Sequence, residues 1–166
     1  MPTASSPLKL LLDTNIWMDA FWGARPGHGA ARAVIDAALE KDAMLLYAVP
    51  SLKDIYYILG ASFKRAARDD SGTLSEDAAH AAEEAAFGCI EAIECIATAV
   101  GADAHDVRLA VKYRSLHRDF EDDLIMAAAQ RAQVHYLVTN DERLLKHAVV
   151  PALSAPDMAV YLNELA

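Results

Sequence analysis

Five short stretches of the chain are predominantly apolar and do not alternate with polar residues: 8–12, 43–49, 95–100, 134–138 and 149–153. A strand with one face in water alternates apolar and polar residues, so runs of this kind belong to strands covered on both faces. Between them lie segments of helical length. The spacing predicts helices over about 16–22, 29–41, 52–68, 75–94, 101–113, 119–132, a short one through 146, and 156–165. Strands covered on both sides and joined by helices imply a parallel sheet, hence a three-layer α/β/α domain with a central sheet of about five strands. At 166 residues, with 54% hydrophobic and 23% charged residues and no internal repeat or linker, the chain reads as a single domain over 1–166.

In an open parallel sheet the ligand crevice lies beyond the carboxyl ends of the strands. The first strand stops at Asp13-Thr14-Asn15 and the fourth at Thr139-Asn140-Asp141. Asp54 lies about one turn into the helix that follows the second strand, and Asp122 in the first turn of the helix that feeds the fourth. Each acid has a purely structural reading. Ser51-x-x-Asp54 fits a capping box, and Asp122 and Asp141 sit at helix starts where a carboxylate stabilises by roughly 0.3–1 kcal/mol. The joint pattern says more, because all four positions fall at one sheet edge if the helix carrying Asp122 starts there. Clustered carboxylates repel and force some to take up protons unless a cation joins them. An oxygen-only donor set without Cys or His favours Mg²⁺ or Mn²⁺ over Zn²⁺. The expected chemistry is metal-assisted phosphodiester hydrolysis.

The rest of the composition limits the alternatives. Net charge is −9, which argues against a protein that simply coats nucleic acid. Lys53, Lys64, Arg65, Lys112, Arg114 and Arg118 are the candidates for local contact with a phosphate backbone. Cys89 and Cys95 are six apart, outside any CxxC or Cys/His cluster, and read as buried free thiols. The six histidines are scattered, which disfavours a histidine-ligated zinc. No run approaches the ~20 apolar residues of a membrane span, and residues 1–7 lack a basic leader, so a cytoplasmic location without membrane association is expected. The glycine-rich loop 23–29 lacks the Walker lysine and reads as an ordinary connection. Trp17 and Trp22, flanked by Ile, Met and Phe, read as sheet packing in preference to base stacking.

Four segments together resemble the PIN-domain ribonucleases, particularly bacterial proteins of the VapC-toxin type. They are Leu-Leu-Leu-Asp13-Thr-Asn15, Pro-Ser-Leu-Lys-Asp54-Ile-Tyr-Tyr-Ile-Leu, Asp119-Phe-Glu-Asp122-Asp-Leu-Ile-Met-Ala-Ala-Ala and Leu-Val-Thr139-Asn140-Asp141. The resemblance implies a Mg²⁺- or Mn²⁺-dependent endoribonuclease, frequent homodimers and often a cognate small antitoxin protein. Carried over position by position, Asp13, Asp122 and Asp141 match the family's metal-binding acids, with Asn15 and Thr139 supporting them by hydrogen bonds. Asp54 stands where the family more often has glutamate, and is expected to bind metal or orient the attacking water. Glu121 is held in reserve, and Asp123 is read as a bystander.

Two other readings compete. A phosphatase with a nucleophilic aspartate on its first strand needs a second acid two residues on, where this chain has Asn15. A catalytically weak PIN-like module that binds an antitoxin or nucleic acid would suit the acidic surface and the shortened side chain at position 54.

Overall fold

The computed structural model describes residues 6–116 and 118–165. His117 and the first five residues, which entered the histidine count and the leader argument, lie outside the described residues.

Strand β1 (Lys9–Leu12) occupies the middle of a five-stranded sheet in the order β3-β2-β1-β4-β5, where β2 is Met44–Ala48, β3 Thr98–Val100, β4 Tyr136–Val138 and β5 Ala152–Leu153. Every pairing is parallel; Leu11 sits opposite Leu46 on one side and Leu137 on the other. The apolar run Leu10–Leu12 follows from having a hydrophobic layer on each face. Leu10 and Leu12 pack with α1 (Thr14–Phe21), α2 (His28–Glu40), α3 (Val49–Ser71), α4 (Glu76–Ile96) and α8 (Ala155–Glu164). Leu11, pointing the other way, joins α6 (Phe120–Arg131) and α7 (Glu142–His147). Helix α5 (Ala104–Tyr113) packs on α6. This is the expected three-layer α/β/α arrangement.

Several boundaries differ from expectation for identifiable reasons. Cys95 and Ile96 complete α4, whose inner face carries the fully buried Ile93, so β3 shrinks to three residues. Pro50 opens α3 instead of breaking the chain ahead of it, because a proline in the first turn forfeits no helix hydrogen bond. Strand β5 is an edge strand of two residues; Pro151 precedes it and contributes its carbonyl to Leu137 N–H at 2.8 Å. Trp17 is fully buried, and Trp22 meets Phe63 edge-on at 6.4 Å, in line with packing roles. Both cysteines are free thiols, but only Cys89 is half-buried; Cys95 is exposed, contrary to the expected burial. Among the described residues, no helix is long and apolar enough to cross a membrane.

Candidate metal centre

The parallel strands place the starts of α1, α3 and α7 at one edge of the sheet, and α6, running back to feed β4, begins at the same edge. Asp13 leaves β1 as the N-cap of α1 and is buried. Its Oδ1 accepts from Thr14 N–H at 2.6 Å; Oδ2 accepts from Asn15 Nδ2 at 2.5 Å and from Thr139 Oγ1 at 2.7 Å. The Thr139 hydroxyl in turn accepts from Asn15 Nδ2 and from Asp141 N–H, both at 3.1 Å. Asn15 Oδ1 accepts Asn140 N–H at 3.1 Å. The two motifs that end β1 and β4 are thus bound into one network.

Asp13, Glu121, Asp122 and Asp141 line a single open cavity of about 180 Å³, closed on its apolar side by Met18 and Ile58. Among the described residues, no basic side chain lines it. Burial, partly offset by the hydrogen bonds from Thr139 and Thr14 and reinforced by Glu121 and Asp141, pushes the Asp13 carboxyl up to about 6. Desolvation first, then the charges of Asp13, Asp119, Asp141 and Glu121, push Asp122 up to about 7. A hard divalent cation relieves this repulsion, and the all-oxygen donor set suits Mg²⁺ or Mn²⁺. Among the described residues, however, no three such side chains already converge on one point. Asp141 Oδ1 caps α7 (Arg143 and Leu144 N–H, both 2.8 Å), and Glu121 Oε1 accepts from Thr14 Oγ1 at 2.9 Å. The chemistry of the residues fits a cation.

Asp122 is not the cap of α6. Asp119 is, accepting from Glu121 N–H at 3.0 Å. Nor does Ser51 cap α3, which begins two residues earlier at Val49, so the capping-box reading of Asp54 fails. Asp54 does not line the acidic cavity either. It faces an adjacent one of about 220 Å³ with Pro50, Ala102, Phe120 and Glu121, and pairs with Lys53 at 3.4 Å. Glu121, held in reserve on sequence grounds, is the residue the two cavities share. Asp123 is buried against α5, outside both.

Two supporting residues escaped the sequence reading. Asp19, buried on α1, accepts from Arg25 Nε at 2.5 Å and from Asn140 Nδ2 at 3.1 Å. Asn140 Oδ1 accepts Ala155 N–H at 3.0 Å, tying the β4 exit to α8. The acidic residue one turn after Asn15 was the available signal. Of the basic candidates, Lys64 is spent on Glu83 at 2.5 Å, between α3 and α4, whereas Lys112, Arg114 and Arg118 gather at the exposed end of α5 and the turn after it.

A parallel α/β/α sheet with an acidic cavity at the carboxyl edge of its strands defines a class of candidate cation-binding α/β proteins. Within it, the PIN domain family model matches residues 9–143, and the chain belongs to that family. No curated protein matches the sequence. Among solved structures, VapBC2 from Rickettsia felis bound to a promoter DNA fragment is similar at a TM-score of 0.63 and 12% identity, covering 89% of this chain and 98% of that one. VapC20 from Mycobacterium tuberculosis, a Sarcin-Ricin-loop-cleaving toxin, superposes at 0.61 with 12% identity, covering 82% and 93%. PAE2754 from Pyrobaculum aerophilum reaches 0.57 with 19% identity, covering 94% and 90%. At such identities the likeness establishes the shared fold.

Proposed function

We propose that the protein is a Mg²⁺- or Mn²⁺-dependent endoribonuclease and acts as the toxin of a toxin–antitoxin pair, a homodimer in the cytoplasm. The observation that carries the catalytic part is the meeting of Asp13, Asp122, Asp141 and Glu121 around one cavity that no basic side chain lines among the described residues. The pairing with an antitoxin rests on the fold shared with VapBC2, whose structure is of a VapBC complex.

In this reading Asp13, Asp122 and Asp141 hold the ion, and Glu121 completes the set. A divalent ion there supplies water activation and neutralises charge in the transition state of an in-line displacement. Thr139 and Asn15 fix the orientation of Asp13, which lets a buried carboxylate ionise near neutral pH despite its surroundings. Asp54, across Glu121 in the neighbouring cavity, meets the substrate strand and not the ion.

Incubating mixed RNA with the protein in Mn²⁺ and in EDTA, beside Asp13→Asn, tests the proposal. Cleavage that needs metal and disappears in the variant supports it; equal background in both sinks it. That second outcome leaves the binding module, a reading favoured by the net charge of −9 and by the separation of Asp54 from the other acids. A small open reading frame directly upstream of the coding sequence would support the antitoxin half.

A further inference from the structure

We infer that the surface running from the acidic cavity across Phe120 to the end of α5 is a track for a single-stranded polynucleotide, with one nucleobase stacked on Phe120 and flanking phosphates on Arg114 and Arg118. The inference deepens the nuclease reading and rests on it for the ribose form of the strand.

Phe120 is the first residue of α6, and the residue is 56% exposed although it immediately precedes Glu121 and Asp122. It forms part of the wall of two neighbouring hollows. One is the 220 Å³ cavity shared with Asp54, Glu121, Pro50 and Ala102, whose surface is mainly apolar. The other is a cleft of about 220 Å³ lined by Ala110, Val111, Arg114, Arg118 and the buried Asp123. Arg114 and Arg118 continue into a third hollow with Lys112 and Ser115. Each hollow shares a residue with the next, so the sequence along the surface is acidic, aromatic, basic. Among the described residues, Lys112, Arg114 and Arg118 enter no ion pair, unlike Arg25, Lys64 and Arg131.

This order matches the chemistry of a single strand. Unpaired bases stack on an exposed ring with little regard to sequence, and a basic groove beside it follows the backbone. Asp54 and Glu121, on the wall of the base cavity, are acceptors for an exocyclic amino group or a ring N–H of the stacked base. A duplex buries the faces of its bases and cannot supply the stack. In a chain of net charge −9, the three cations beyond Phe120, in no ion pair among the described residues, give a strand its local attraction.

Fluorescence anisotropy of an end-labelled 12-nucleotide strand, with the full-length protein in EDTA, tests the track without cleavage. Phe120→Ala is expected to weaken binding roughly tenfold and Phe120→Trp to restore it. Arg114→Gln with Arg118→Gln should flatten the dependence of log affinity on log salt by about 0.7 for each phosphate released. Duplex of the same sequence should bind less well. Deoxyribose and ribose strands bound alike would assign recognition to ring and phosphate; a ribose preference would add the sugar. Unchanged affinity in Phe120→Ala, or equal affinity for duplex, overturns the track. So does sedimentation in which Phe120→Ala alone dissociates a dimer, since the ring then covers a second copy. The two readings fail separately. Metal-dependent cleavage with no effect at Phe120 removes the track and leaves the nuclease, and ring-dependent binding without cleavage does the reverse.

Discussion

Thr139 Oγ1 donates a 2.7 Å hydrogen bond to Asp13 Oδ2, joining the ends of two adjacent parallel strands across 126 positions of sequence. The bond opposes the burial that drives the Asp13 carboxyl upward, because it favours the ionised form. The same hydroxyl is an acceptor for Asn15 and for the backbone of Asp141, so one side chain sets the geometry of three.

Thr139→Val keeps the shape of the side chain and removes both functions. Asp13 then becomes a weaker acid, and Asp141 N–H loses its partner. The expected loss of stability is about 1.5–3 kcal/mol above pH 6, where the carboxylate is charged, and less below it. Mn²⁺ affinity should fall at least about tenfold, as for other supports of metal ligands. Thr139→Ser retains the hydroxyl and should restore both. Urea melts at pH 5 and 8 and calorimetric titration with Mn²⁺ read the two effects.

The weakened acidities of Asp13 and Asp122 make the protein without bound cation lose stability as pH rises. Between the ordinary value of 3.8 and the folded values of about 6 and about 7, these carboxyls are protonated in the folded chain and ionised in the unfolded one. The folded state therefore binds more protons, and their contribution, complete below 3.8, is lost as pH passes through 6 and 7. For Asp13 the loss is on the order of 2–3 kcal/mol. A divalent cation held as proposed would compete with those protons. Saturating Mn²⁺ should consequently raise the melting temperature more at pH 8 than at pH 5, and equal increments at both would contradict the assignment.

Asp122→Asn separates the charge from the fold. Asp122 is half-buried and, among the described residues, no hydrogen bond to its side chain is seen, so the amide removes a repelling charge without orphaning a donor. The variant should melt higher than the parent at pH 8 without metal, and the two should converge near pH 4. Stabilisation by Mn²⁺ should disappear in it. A variant less stable at every pH would mean that the carboxylate serves the fold.

The architecture was legible because β1, β2 and β4 carry apolar residues on both faces, a pattern few other folds require. The edge strands were less so: Ile96 serves the inner face of α4 as readily as a strand, and only tertiary packing decides between them. Asp13, Asp122 and Asp141 could be placed at one sheet edge because each sits at a strand end or a helix start. Which of the remaining acids faces the cavity depended on side-chain direction within the first turns of α3 and α6, information that spacing does not hold. Asp54 turned toward the neighbouring hollow, and Glu121 came to lie between the two. Asp19 was missed because its partners, Arg25 and Asn140, lie on segments whose approach only the folded chain reveals.

Gly27 shows the same lesson in a residue that looked like plain connection. A β-carbon there would lie 2.0 Å from Asp19 Oδ2 and 2.6 Å from its Cγ. Asp19 has little freedom to withdraw, being buried and held by Arg25 and Asn140. Gly27→Ala should therefore cost about 1–3 kcal/mol, through overcrowding, with no left-handed backbone involved. The backbone of Gly27 is ordinary right-handed helix, so the clash alone sets the effect. In an Asp19→Ala background the same substitution should be nearly silent, and a double-mutant cycle by thermal melting measures the difference. Equal cost in both backgrounds would place the strain elsewhere in the 22–28 loop.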